Sequence, residues 1–235
     1  VNKNNHPTVL LVDIDGTLIN SGGAGGAALL DALTAHFGVA EPVAVPLHGR
    51  TDAGIFRELL EENGVEATDA NFEVLCERYF SMLPGVLAQR RDTPLPGVRS
   101  LLTEFDRHPL FAMALLTGNL PHSARLKLQH FDLDHFFTSG TFGDTARHRH
   151  DLAGPALETA QQLLEESAYE GPLQPQRVVV IGDTPLDISL AKLMGARCLA
   201  VATGGYELGA LTQAGADWAV EDLTATDEIL QWCLA

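Results

Sequence analysis

Two aspartates, Asp13 and Asp15, follow directly on the apolar run Val9-Leu10-Leu11-Val12 and are themselves followed by Gly16-Thr17. Like charges ~4 Å apart repel by about 4 kcal/mol at an effective dielectric of 20. A pair of acids at the exit of a buried strand therefore points to a cation or a reaction that needs them. A carboxylate can attack phosphorus, splitting one displacement into formation and hydrolysis of an aspartyl-phosphate. Asp13, the first residue past the run, suits that role. In extended chain the residue two positions on points to the same side. Asp15 can then protonate a leaving oxygen and afterwards activate water. An Asp-rich turn is the competing reading, but it leaves the later acids unexplained.

Those acids are Asp183 and Asp187, which follow the run Val178 to Ile181. Thr184-Pro185 between them reads as an N-cap followed by proline at the first helical position. Asp187 either complements the helix dipole or joins the site. Four carboxylates in one pocket raise one another's pKa values unless a cation neutralises them. Oxygen-only ligands favour Mg²⁺ over zinc. Thr117, at the end of the run Phe111 to Leu116, could hold phosphate oxygens together with the backbone N–H groups of Gly118 and Asn119. The same residues also suit a helix N-terminus before Pro121.

Three apolar strands must position these groups: Val9 to Val12, Phe111 to Leu116 and Val178 to Ile181, each stopped by a polar cluster. A shorter one is expected at Cys198 to Val201. Helical patterns lie between and after them, at Val98 to Arg107, Pro121 to Phe131, Leu152 to Glu166 and Pro185 to Met194. Alternation of this kind predicts an α/β fold, a parallel Rossmann-like sheet with helices on both faces. Residues 19–93 break it, with helices at Ala27 to Phe37, Ile55 to Asn63 and Ala70 to Met82 and no convincing strand. The expected division is a core of residues 1–18 and 94–235 and a helical insertion of residues 19–93. Ser21-Gly22-Gly23-Ala24-Gly25-Gly26 lacks the Gly-Lys-Ser/Thr ending of a nucleotide-binding loop and reads as a hinge.

A formal net charge of −16 argues against binding nucleic acid or anionic membrane through a global positive field. Three widely spaced cysteines suggest a reducing compartment without disulfides. No apolar stretch is long enough to span a bilayer, and no signal-peptide pattern is present, so cytoplasmic location is the default expectation.

The ordered set Asp13-Ile14-Asp15-Gly16-Thr17, Leu116-Thr117-Gly118-Asn119, a basic residue within Arg147 to Arg149, and Gly182-Asp183-Thr184-Pro185-Leu186-Asp187 resembles the haloacid dehalogenase-like hydrolase superfamily over nearly the whole chain. The likeness is to members of the phosphoglycolate phosphatase and β-phosphoglucomutase type. It implies Asp13 as nucleophile and Asp15 as acid/base. It implies metal ligands at Asp13, Asp15 through its backbone carbonyl, and Asp183, extended here to Asp187. It also implies that residues 19–93 form a cap that closes over the site and selects substrate, with Arg50 a candidate contact for a substrate anion. The usual lysine of the third motif is absent; Arg149 resembles the arginine variant best, with Arg147 and Lys127 as alternatives. Lys127 lies in the middle of a predicted helix, where a solvated face is the ordinary expectation. His148 and His150 read as polar residues at a helix start rather than zinc ligands.

Dehalogenases of this superfamily lack the second acid, so Asp15 points to phosphoryl transfer. Phosphonatase-type members need a cap lysine, and residues 19–93 contain none. The expectation is Mg²⁺-dependent hydrolysis of a small phosphorylated metabolite. A phosphosugar mutase and a non-catalytic phospho-ligand-binding or regulatory module are the alternatives.

Overall fold

In the computed structural model, which describes residues 6–89, 93–167, 169 and 171–235, the run ending at Asp13 is an interior strand of a parallel sheet. The chain forms β1 (Thr8–Val12), α1 (Ala24–Phe37), α2 (Asp52–Glu62), α3 (Asp69–Ala88), α4 (Val98–Arg107), β2 (Phe111–Leu116), α5 (Pro121–His130), β3 (Gly140–Thr141), α6 (Ala153–Glu166), β4 (Val178–Gly182), α7 (Pro185–Met194), β5 (Arg197–Val201), α8 (Leu208–Ala214), β6 (Trp218–Val220) and α9 (Thr226–Leu234). The six strands lie in the order β3-β2-β1-β4-β5-β6, and every pairing is parallel.

Burial on both faces explains why these strands read as continuous apolar runs. Leu10, Val12, Val179 and Ile181 pack on one side with residues of α4, α5 and α9. Val9, Leu11, Val178 and Val180 pack on the other with α6, α7 and α8. The period of two along each strand thus divides one sheet between two layers of helices.

Register brings the strand exits together. Val12 pairs with Leu115 on one side and Ile181 on the other, so the chain leaves β1, β2 and β4 at the same level. Strand order reverses direction at β1, with β2 on one flank and β4 on the other. That is the crevice where parallel α/β sheets bind ligands.

Helices α1 to α3 are inserted between β1 and α4. The outgoing and returning chains meet at Ile19 and Pro94, which form an antiparallel bridge, and Leu95 N–H donates to Leu18 O at 3.0 Å. The glycine-rich run differs from a pure hinge: α1 begins at Ala24, so Gly25 and Gly26 sit in its first turn. A Cβ on Gly26 would lie 2.8 Å from Leu47 Cδ1. Helix α3 continues past Pro84 to Ala88, beyond the expected end near Met82, because Leu83 and Leu87 are both buried in the core. Among the described residues no helix is long and apolar enough to cross a membrane.

Candidate active site

Asp13 leaves β1 with its N–H bonded to Ile181 O of β4 at 2.9 Å. Its carboxylate, almost fully buried, shares a cluster with those of Asp183 and Asp187, whose oxygens all lie within 4.8 Å of one another. Gly16 makes that approach achievable. Its φ is +84°, and a Cβ there would fall 2.3 Å from Asp183 Oδ2. Thr17 Oγ1 donates to Asp183 Oδ1 at 3.4 Å, and Thr203 Oγ1 holds Gly16 O at 2.6 Å.

The cation facing this cluster is Arg149, on the short turn Arg149–Leu152 that leads into α6. Its guanidinium lies 2.5 Å from Asp187 Oδ1 and 3.3 Å from Asp13 Oδ2 and donates to Leu116 O at 2.9 Å. Arg149 is thus brought against the acids, whereas Arg147 is exposed. His148 and His150 are also exposed, and His148 belongs to a capping box with Asp151. Asp187 serves Arg149 with one oxygen. With the other it accepts from Thr184 N–H at 3.1 Å and Thr184 Oγ1 at 2.7 Å, closing a capping box at the start of α7.

Lys127 is a correction to the sequence reading. It is 5% exposed and points inward from α5, with Nζ 2.6 Å from Asp15 Oδ2 and 2.6 Å from Asn119 Oδ1. Asn119 Nδ2 donates to the same Asp15 oxygen at 2.8 Å and to Thr117 Oγ1 at 2.8 Å. The loop Thr117-Gly118-Asn119 thus contributes a side-chain amide and a hydroxyl as well as backbone N–H groups.

The inserted helices close one side of the site. Asp52 N–H donates to Gly118 O at 2.6 Å and Ala53 N–H to Gly143 O at 3.1 Å. In return, Asp52 Oδ2 accepts from Leu120 N–H at 2.8 Å and Ser123 Oγ at 3.1 Å. Helix α5 has no N-cap side chain of its own, so Asp52 supplies one from 68 positions away. Thr51 caps α2 and donates to Arg147 O at 3.0 Å. Nothing larger than glycine fits at Gly118, where a Cβ would meet Arg50 O at 1.9 Å. Arg50 itself pairs with Glu58 and donates to Pro46 O at 2.9 Å.

A cavity of about 290 Å³ opens above the acids, lined by Asp13, Asp15, Asp183, Thr117, Lys127 and Arg149 on the sheet side. Asp52, Leu29, Leu47, Ile55, Phe56 and Tyr79 form its other wall. Charges are tuned by burial and by neighbours. Burial, opposed by Arg149 and reinforced by Asp187, raises Asp13 to about 6. Burial with Asp13 and Asp187 nearby raises Asp183 to about 8. Burial also acts on Asp15, but the charge and hydrogen bond of Lys127, with Asn119 and Ser21, outweigh it and hold this carboxyl below its ordinary value. Desolvation acts against charged Lys127, and the surrounding Asp15, Tyr79 and Asp52 reverse it, keeping the ammonium protonated.

With all three carboxylates ionised, one guanidinium leaves the Asp13, Asp183 and Asp187 cluster two charges negative. That excess and the all-oxygen donor set fit one hard divalent cation. Residues 7–195 match the model of the haloacid dehalogenase-like hydrolases. No curated protein sequence gives a significant match to the chain. Among solved structures, a hydrolase from Pseudomonas syringae is 24% identical with a TM-score of 0.68, covering 96% of this chain and 98% of that one. CbbY from Rhodobacter sphaeroides, in complex with phosphate, is 18% identical with a TM-score of 0.71, covering 93% and 95%. A predicted phosphoglycolate phosphatase from Haemophilus somnus 129PT is 18% identical with a TM-score of 0.69, covering 98% and 100%. These likenesses extend over the whole fold, inserted helices included.

Proposed function

Because the chain belongs to the haloacid dehalogenase-like hydrolase family, we propose that it hydrolyses a small phosphomonoester through an aspartyl-phosphate on Asp13. The observation that carries this reading is the placement of Asp13 between Arg149 and Asp183, with a second acid, Asp15, held separately by Lys127.

Asp13 attacks phosphorus, a phosphorus–oxygen bond forms, and the ester oxygen leaves with a proton from Asp15. Asp15 then takes a proton from water, whose oxygen attacks the same phosphorus and releases Asp13 and inorganic phosphate. Thr117, the backbone N–H groups of Gly118 and Asn119, and Arg149 hold the phosphoryl oxygens. Arg149 also has a buried Nε–H with no hydrogen-bond partner among the described residues. Lys127 favours the ionised form of Asp15, the form that accepts the proton from water in the second step.

Asp13, Asp183 and the backbone carbonyl of Asp15 would hold Mg²⁺, with Asp187 acting through Arg149 rather than as a free ligand. When bound, the ion offsets the phosphate's charge and stabilises charge developing in the transfer. Residues 19–93 form the cap on this reading, keeping water away while the phosphoryl group is transferred. Phenyl phosphate hydrolysis, measured with and without Mg²⁺, tests it. Metal-dependent release of phosphate that disappears in Asp13→Asn is expected, and equal turnover by native chain and variant would overturn it.

A further inference from the structure

Taking the phosphatase reading as its base, we propose that the leaving group this site accepts carries no anion of its own: it is an uncharged, hydroxylated alcohol with an apolar flank. Three Lys or Arg side chains line the cavity among the described residues, and each is engaged either at the phosphoryl end of the site or within the inserted segment. Lys127 is held between Asp15 and Asn119 at 2.6 Å each. Arg149 serves Asp13, Asp187 and the Leu116 carbonyl. Arg50 spends its charge inside the inserted helices, on Glu58 and on Pro46 O.

Beyond the phosphoryl position the wall adds a further acid rather than a base. Asp52 is pinned through Oδ2 by Leu120 N–H and Ser123 Oγ, so it cannot swing out of the cavity without uncapping α5. Its Oδ1 accepts no hydrogen bond among the described residues and offers an acceptor to a hydroxyl. Apolar surface there comes from Leu29, Leu47, Ile55 and Phe56, with Tyr79, His48, Asn20 and Ser21 also on the lining. A carboxylate or second phosphate on the leaving group would face Asp52 with no uncommitted lysine or arginine among the described residues to meet it. Burial in so small a space magnifies that repulsion relative to water. A hydroxyl can donate to Asp52 Oδ1 while its carbon chain lies on the apolar side. Discrimination of this kind works by an unfavourable contact with the wrong ligand as much as by a favourable one with the right one.

Two phosphomonoesters of nearly equal size separate the alternatives, 2-hydroxyethyl phosphate and 2-phosphoglycolate, compared by kcat/KM with Mg²⁺ present. Where either turns over too slowly, the inhibition constant against phenyl phosphate hydrolysis replaces it. The neutral ester is expected to win at least about tenfold, one well-placed charge contact. Glu58→Gln, which removes the partner of Arg50 at a half-exposed position, is expected to narrow the gap, as is the isosteric Asp52→Asn. Phosphoglycolate within about threefold of the neutral ester, or preferred to it, would overturn this inference while leaving the phosphatase reading intact. Loss of phenyl phosphate hydrolysis itself would instead sink the reading beneath it.

Discussion

Lys127 Nζ sits 2.6 Å from Asp15 Oδ2, so the second acid of the first strand's motif is held by a helix that follows the second strand. The two residues are 112 positions apart, and the contact ties the β1 exit to α5. Burial alone would raise the Asp15 carboxyl, and Lys127 is the principal reason it lies low. Replacing Lys127 with Met leaves burial less opposed, so Asp15 should retain its proton to higher pH. Where attack of water on the aspartyl-phosphate limits turnover, the acid limb of the kcat profile is then expected to move upward. An unmoved acid limb in a folded Lys127→Met chain would separate Lys127 from Asp15 function.

Arg149 answers to three acceptors at once, Asp13, Asp187 and Leu116 O. A planar fork can serve such a set and a single ammonium cannot. Arg149→Lys should therefore lower both the thermal midpoint and kcat, while Arg149→Ala, which strands buried carboxylates, should cost about 3–5 kcal/mol of stability. Differential scanning calorimetry beside phosphate release checks both. A lysine variant with native melting and native rate would contradict the geometry described.

Gly118 is where the inserted helices press closest on the phosphoryl loop. A methyl group there meets the Arg50 carbonyl at 1.9 Å, so Gly118→Ala forces the two apart. Overpacking of this sort costs about 1–3 kcal/mol, and kcat/KM should fall further than stability alone explains. Gly85, inside α3 with nothing within 4 Å of its would-be Cβ, is the matched control. There alanine should stabilise the chain by up to about 1 kcal/mol.

The acids also set a pH dependence of stability. Asp13 and Asp183 titrate near 6 and 8 in the folded chain against an ordinary 3.8, chiefly because they are buried. Between about pH 4 and pH 8 the folded chain keeps protons that the unfolded chain has released, so stability falls as pH rises through that window. Chelator-treated protein should melt lower at pH 8 than at pH 5. Added Mg²⁺, competing with those protons, should raise the midpoint more at pH 8. A flat or rising midpoint without metal would argue against the buried cluster.

How much of this was legible in the sequence depended on distance along the chain. Strands β1, β2 and β4 are legible because burial makes them unbroken apolar runs, and the polar residues at their exits come with them, acids after β1 and β4 and Thr117 after β2. Strands β3, with two residues, and β6, with three, are too short to show a pattern. Helices α8 and α9 are likewise not legible in the sequence, and α8 has only Leu211 buried. By residue type, Lys127 reads as a surface position. Its spacing tells otherwise, since it lies three residues after Ala124 and four after Ser123, both buried on the inward face of α5. Asp52 gave no local signal beyond a cap for its own helix, because the helix it caps lies in another part of the chain.

The most direct test of Asp13 as nucleophile is chemical trapping of the phosphorylated carboxylate. Asp15→Asn should slow attack by water, so phenyl phosphate with Mg²⁺ followed by borohydride reduction is expected to convert residue 13 to homoserine, located by peptide mass spectrometry. Phosphate release by the native chain with no modification at residue 13, or with modification at another carboxylate, would contradict the mechanism.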